Sequence, residues 1–182
     1  MSIQKFISKS VFKIFGWKII GEVPKVKKYV MVIAPHTSLL DVPIGKMYNW
    51  IIDMKVSLMI KKEFFFFPMG ALLRKWGGIP INRNYPGGIV KQLADKFEKS
   101  EELIVSLTPE GTRSPNPDWK TGFHRIATAA NVPVYLTCIN FKTKEIGFIG
   151  EHKLTGNIKA DINAIKERYK GMEGFRKGKF IL

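Results

Sequence analysis

"KKYVMVIAPHTSLLDVPIG" occupies Lys27–Gly45. Its first half, Tyr29–Ile33, is a near-continuous run of aromatic, β-branched and other apolar residues, ended by Pro35. That is the pattern of a strand covered on both faces. From Ser38 the spacing predicts a helix to about Trp50. A buried strand feeding a helix is the unit of an α/β fold. Between the two lies His36, and Asp41 follows it in an apolar setting of Leu39, Leu40, Val42 and Pro43. Loops after the C-terminal ends of such strands are where α/β folds commonly carry their chemistry.

The same alternation extends outward. "WKIIGEV" reads as a short strand before the quoted stretch and "KVSLMI" as a buried one after it. "KKEFFFFPMGALLRKWGG" is broken by Pro68, with a helix after the proline. "IPIN" is a short strand, Pro86–Lys99 a helix, and "ELIVSL" a strand leading into the loop "TPEGTRSPNPDW". Gly122–Ala130 reads as helix, "VPVYLTCI" as strand, "GFIGEH" as an edge strand and Ile158–Tyr169 as a closing helix. The tail "FRKGKFIL" is expected to fray. Residues 2–15 form an amphipathic pattern, with Ile3, Phe6, Ile7, Val11, Ile14 and Phe15 recurring at helical spacing and Lys5, Lys9 and Lys13 opposite. Such a helix either packs on its own domain or lies in a lipid interface. The expected architecture is a single α/β domain over 17–182, a mixed central sheet flanked by helices, preceded by the amphipathic helix at 1–16.

Composition narrows the function classes. A chain of 182 residues suits one domain, and 45% hydrophobic content supports a packed core. Thirty basic residues against 15 acidic ones leave a net charge of +15, which favours an anionic partner such as nucleic acid, anionic lipid or a phosphorylated substrate. One cysteine, Cys138, excludes an internal disulfide and a Cys-rich zinc site. It falls in a predicted buried strand and reads as core. No metal-ligand spacing occurs, and His124 and His152 have no partner legible in sequence. No run reaches the roughly 18 consecutive apolar residues of a spanning helix. The expected location is therefore cytoplasmic, attached peripherally to the inner face of a membrane.

Asp41 admits two readings. It can hold one ring nitrogen of His36, fixing the tautomer of a general base. It can equally be the third helical residue of a capping box whose N-cap is Ser38. Hydroxyls beside a helix start usually cap it, and no Gly-x-Ser-x-Gly elbow is present, so Ser38 and Thr37 are not read as nucleophiles.

"HTSLLD" (His36–Asp41), "GGIPINR" (Gly77–Arg83) and "PEGTRS" (Pro109–Ser114), in this order, resemble the signature blocks of the glycerolipid acyltransferase family. "KKEFFFFPMG", "WKTGFHRIA" and "NVPVYL" resemble its connecting segments, so the resemblance runs from about Trp17 to Leu154. It implies an O-acyltransferase that moves a fatty acyl group from acyl-CoA or acyl carrier protein to a lysophospholipid hydroxyl. Lysophosphatidate (1-acylglycerol-3-phosphate) is the favoured acceptor and phosphatidic acid the product. His36 is then the base and Asp41 its orienting partner. Arg83 and Arg113 hold the acceptor phosphate, for which a planar guanidinium fork suits two oxygens at once. Glu110 binds an acceptor hydroxyl or fixes the arginine loop. Gly111 lets that loop approach a ligand closely or is an ordinary turn glycine, Thr112 shapes the loop, and Gly78 permits close backbone approach before the strand at Ile79, all three as acceptor-binding or loop-positioning residues. Lys61 draws in phosphate or anionic lipid, or is simply solvated. The Phe64–Phe67 run lines an acyl tunnel, touches lipid or packs in the core. No cofactor is implied beyond the acyl donor. Within the family the acceptor could also be another lyso-lipid, such as a lyso-aminolipid, or the enzyme a transacylase. Outside it stands a basic nucleic-acid-binding module, against which the chain shows no zinc-finger spacing or RNA-binding aromatic octapeptide. No nucleic acid is expected as partner.

Overall fold

Alternate residues of the strand after Lys27 face opposite layers, and both layers are covered. The computed structural model describes residues 2–182. Strand β2 (Lys28–Ala34) sends Tyr29 and Met31 towards helices α1 (Ile3–Phe15) and α2 (Asp41–Ile51), where they pack with Phe12, Tyr48 and Ile51. Val30, Val32 and Ala34 face the other way. They meet Leu93 and Phe97 of α4 (Gly88–Lys99), Phe123 and Ile126 of α5 (Gly122–Ala130), and Ile165 of α6 (Ile158–Arg168). This double coverage is why the sequence of β2 is apolar throughout instead of alternating.

Around β2 stand β1 (Lys18–Ile20), β3 (Ser57–Lys61), β4 (Gly78–Ile81), β5 (Leu103–Leu107), β6 (Val134–Asn140) and β7 (Glu145–His152). They form one seven-stranded mixed sheet in the order β1-β7-β6-β2-β5-β3-β4. A short helix, α3 (Met69–Lys75), follows Pro68 as the sequence predicts. Strands β2 to β6 run parallel to one another, and only β6 and β7 pair antiparallel. All five parallel strands therefore end on one edge, and the loops after β2, β4 and β5 carry His36, Arg83 and Glu110–Arg113 to it.

Several expectations need correction. The strand of "GFIGEH" is not at an edge: β7 is flanked by β6 and by β1, which pairs with it in parallel from Lys18↔Glu145 to Ile20↔Gly147. The outer strands are β1 and β4. Helix α2 begins at Asp41, three residues after Ser38. The tail does not fray, since Phe180 and Leu182 pack against the core and the Phe180 ring lies 6.3 Å from that of Trp119.

Helix α1 is capped by Ser2, whose hydroxyl accepts from the Lys5 N–H at 3.3 Å, and ended by Gly16 in the left-handed conformation. It rests on the domain through buried Phe12 and Ser8, while Ile3, Phe6, Ile7, Ile14 and Phe15 remain exposed. The residues expected to form its inner face thus point largely outward.

Candidate active site

Pro35 ends β2, and the chain turns before α2 begins at Asp41. That turn lets a carboxylate five residues on reach back under the imidazole. One oxygen of Asp41, Oδ2, accepts from His36 Nδ1 at 2.9 Å, from the Thr37 N–H at 3.0 Å and from the Ser38 N–H at 3.1 Å. A carboxylate accepts, so Nδ1 carries the proton and Nε2 presents its lone pair. The Ser38 hydroxyl accepts from Leu40 N–H at 3.2 Å, so it does not close a capping box with Asp41. The backward half of that motif is present, however. Asp41 holds the Ser38 N–H and the imidazole with the same oxygen, so the two readings of this residue describe one contact. Asp41 Oδ1 is buried and has no partner among the described residues.

Glu110, in the loop after β5, reaches across to the same turn. Its Oε1 accepts from the His36 N–H at 2.7 Å, and the residue is only 2% exposed. Burial pushes its carboxyl up to about 7, against the opposing pull of the His36 N–H and charge, with Asp41 adding to the rise. Glu110 therefore ties the loop after β5 to the histidine backbone. The loop itself is shaped from within. Asn116 Nδ2 donates to the carbonyls of Glu110 at 2.8 Å and Asp118 at 3.1 Å, and Thr112 Oγ1 accepts from the Ser114 N–H at 3.2 Å. Gly111 sits at φ +67°, where a Cβ would lie 2.9 Å from Lys120 Cγ.

The raised Glu110 carboxyl sets a pH dependence. The folded protein keeps a proton that an unfolded chain releases near 4.5. Stability from this group is complete below 4.5, falls as pH rises and is lost above about 7. Glu110→Gln keeps an acceptor for His36 N–H but cannot ionise. It is expected to be more stable than the native protein at pH 8, by on the order of 3 kcal/mol, with the gap closing towards pH 4.5. Urea unfolding at pH 5 and pH 8 measures this, and parallel curves for the two proteins would contradict it.

His36 and Asp41 line a cavity of about 580 Å³, together with Thr108, Gly111 and Lys120. That volume lies within the roughly 300–1,000 Å³ of small-molecule sites. Most of the remaining wall is apolar, including Met31, Val56, Ile139 and Ile146. The Tyr48 and Thr137 hydroxyls, buried and without a partner among the described residues, belong to residues of the same wall. A histidine held by a carboxylate beside an apolar chamber can take a proton from a hydroxyl whose attached chain lies in that chamber. A family model described as Acyltransferase matches residues 18–140, more than half of the chain.

The chain belongs to the acyltransferase family.

No curated protein sequence matches it. Among solved structures it is similar to the 1-acyl-sn-glycerophosphate (LPA) acyltransferase PlsC from Thermotoga maritima. The TM-score is 0.59 at 18% sequence identity, over 94% of this chain and 80% of that one. At that identity the likeness is one of fold.

In this acyltransferase the motif residues do not all meet. His36, Asp41, Glu110 and Gly111 cluster as described. Arg83 and Arg113 are exposed on the loops after β4 and β5 and do not line the cavity. Neither guanidinium has an ion-pair or hydrogen-bond partner among the described residues. Lys61 is exposed at the end of β3. Gly78 is a packing residue at the start of β4, where a Cβ would lie 2.8 Å from the Leu73 carbonyl and 2.9 Å from Ile60 Cδ1. The Phe64–Phe67 run lines no part of the cavity. Phe64 and Phe66 are exposed and Phe67 is 92% exposed, so the tunnel reading gives way to a surface one. Cys138 is fully buried, and burial pushes its thiol up to about 11, which leaves no thiolate for attack.

Sequence reasoning missed two features. Lys120 lines the cavity, eleven residues beyond Pro109, to whose carbonyl its N–H donates at 2.6 Å. The only signal is its place in "WKTGFHRIA". His124 and His152 do have a partner. Asp161 Oδ2 lies 2.8 Å from His124 Nε2 and Oδ1 3.2 Å from His152 Nε2, and both Thr155 donors reach the same carboxylate. Burial works to raise the Asp161 carboxyl, but these bonds outweigh it and hold it below the usual range. The cluster ties α5, β7 and α6 together.

Proposed function

We propose that this acyltransferase moves a fatty acyl group from acyl-CoA or acyl carrier protein to the free hydroxyl of a lysophospholipid, with lysophosphatidate as acceptor and phosphatidic acid as product. The observation that carries the reading is the His36 Nδ1–Asp41 Oδ2 contact of 2.9 Å in the wall of a largely apolar cavity. The acceptor hydroxyl gives its proton to His36 Nε2 as its oxygen attacks the thioester carbonyl. Collapse of the tetrahedral intermediate breaks the C–S bond, and the imidazolium returns the proton to the departing thiolate. Asp41 stabilises the transient imidazolium and keeps the ring oriented. The apolar wall accommodates an acyl chain. Of the two lysines on the cavity, Lys46 donates to the Trp76 carbonyl at 3.2 Å, so Lys120, with Arg113 on the adjoining loop and Arg83 on the loop after β4, is assigned to the acceptor phosphate. The similarity of fold to an enzyme described as an LPA acyltransferase supports this choice of acceptor. The exposure of both arginines outside the cavity favours a second reading, an acceptor lyso-lipid without a phosphate monoester.

The deciding experiment is thiol release from acyl-CoA and from acyl carrier protein with a panel of lyso-lipids. Lysophosphatidate-dependent release is expected, with Lys120→Ala and Arg113→Ala raising the KM for that acceptor. Release with every lyso-lipid except lysophosphatidate would overturn the choice of acceptor. Absence of release with the whole panel would overturn the reaction.

The acceptor is a lipid, and no helix among the described residues is long and apolar enough to cross a membrane. Helix α1 is the proposed contact with the bilayer surface. Its exposed Phe6, Ile7, Ile14 and Phe15 enter the interface while Lys9 and Lys13 meet anionic headgroups, each worth about 1 kcal/mol. Because Phe12 anchors α1 to the core, surface substitutions separate binding from folding better than truncation does. Phe6→Ser/Ile7→Ser/Ile14→Ser is expected to abolish sedimentation with anionic vesicles while preserving Tm and turnover of a short-chain, water-soluble substrate. Undiminished sedimentation would transfer the contact to exposed Phe66 and Phe67.

A further inference from the structure

Beyond α6 the chain doubles back across the sheet edge that carries His36. Two hydrogen bonds seat it on the end of β6. The Phe141 N–H donates to the Glu173 carbonyl at 2.9 Å, and the Glu173 N–H donates to Asn140 Oδ1 at 3.1 Å. The Phe175 ring meets that of Phe141 edge-on at 5.4 Å. A third bond reaches the His36 turn itself, where the Arg176 N–H donates to Thr37 Oγ1 at 3.1 Å. Between these points Gly174 is buried hard against the same threonine. A Cβ there would lie 2.3 Å from Thr37 Oγ1 and 2.5 Å from Cγ2. Thr37 has no exposed surface, directly follows His36, and gives its own N–H to Asp41 Oδ2.

These contacts form an unbroken series. Glycine at 174 lets the tail approach, the Arg176 N–H fixes the Thr37 hydroxyl, and the Thr37 N–H fixes the Asp41 oxygen that holds the imidazole. We propose that Glu173–Arg176 is a strap that positions the His36–Asp41 pair through Thr37, which makes Thr37 and Gly174 positioning residues of the active site. The inference rests on His36 acting as the base. Three features support a positioning role over general packing. The strap touches the turn at the residue between base and carboxylate. It does so through a main-chain donor and a side-chain acceptor that have no other partner among the described residues. The fit leaves no room for even one methyl group. A turn held by Glu110 at the His36 N–H and by the strap at the Thr37 hydroxyl has little freedom to shift. An active-site displacement of about 1 Å can cost roughly 10²-fold in rate.

The test is steady-state kinetics on full-length Thr37→Val, Thr37→Ser and Gly174→Ala, with thermal unfolding of each. Thr37→Val keeps the shape but strands the Arg176 N–H. It is expected to lower kcat about tenfold with KM within about threefold, as loss of the part-buried bond that seats the strap implies. Thr37→Ser restores the hydroxyl and is expected to recover kcat to within about threefold of the native protein. Gly174→Ala forces strap or turn to move and is expected to lower kcat by about 10². If Gly174→Ala does not fold, the valine–serine pair decides alone. Equal impairment of Thr37→Val and Thr37→Ser, a loss confined to KM, or native kcat in folded Thr37→Val would each overturn the strap. Failure of the underlying reading is distinguishable, because His36→Ala would then keep its activity whatever the strap variants do.

Discussion

Purified His36→Ala is expected to retain its fold and lose acyl transfer by about 10²–10⁴ in kcat. The fold persists because the imidazole holds little of the turn together. The main-chain N–H still donates to Glu110, Asp41 Oδ2 keeps the Thr37 and Ser38 N–H groups, and the imidazole is a fifth exposed, so its removal sacrifices little burial. Activity falls because no other histidine can take over. His124 and His152 are both committed to Asp161, in a cluster that does not line the cavity. Acyl-dependent thiol release at saturating acceptor, with Tm measured on the same preparation, reports both properties. Turnover within tenfold of the native protein in folded His36→Ala would remove the histidine from the mechanism.

Asp41→Asn is expected to reduce kcat by about 10²–10⁴ and also to destabilise the protein by about 1–3 kcal/mol. An asparagine has two ways to sit in this pocket, and both are poor. With its oxygen at the three-donor position it keeps the geometry but loses the charge that stabilises the imidazolium, and its NH₂ occupies the buried, partnerless place of Oδ1. Turned the other way, its NH₂ faces two main-chain N–H groups and forces the proton of the imidazole onto Nε2, where no base then remains. Kinetics below the unfolding transition separate the two effects. A variant that loses stability and keeps turnover would leave Asp41 only the work of starting α2.

How much of the site is legible in the sequence follows the range of the interactions. The His36–Asp41 contact spans five residues across one turn, so spacing and setting are enough to suggest it. What spacing leaves open, cap or orienting group, dissolves in the structure, where one oxygen holds both Ser38 N–H and the imidazole. Gly78 is a point of close approach, and the group that approaches it is the Leu73 carbonyl near the end of α3, a contact sequence alone does not name. The phenylalanine run shows the opposite limit. Four consecutive rings cannot share one core direction, yet composition says nothing about which of them meets solvent, and the cavity forms elsewhere. Asp161 is invisible in sequence for a similar reason, since its histidine partners lie 37 and 9 residues away.

The amino-acid sequence by itself determined the α/β class, the buried strand at its centre, the turn holding histidine and carboxylate, and the family. These follow from hydrophobic periodicity, helix and strand terminators and short ordered motifs, all of them local in the chain. Tertiary structure alone decided that Glu110 braces His36 across 74 residues, that Lys120 and not the two motif arginines stands in the cavity wall, and that the tail expected to fray lies against Thr37. The physical reason is that parallel strands bring their C-terminal loops to one edge whatever their separation in sequence. Which side chains then meet there depends on strand order, β1-β7-β6-β2-β5-β3-β4, and strand order is set by burial summed over the whole sheet.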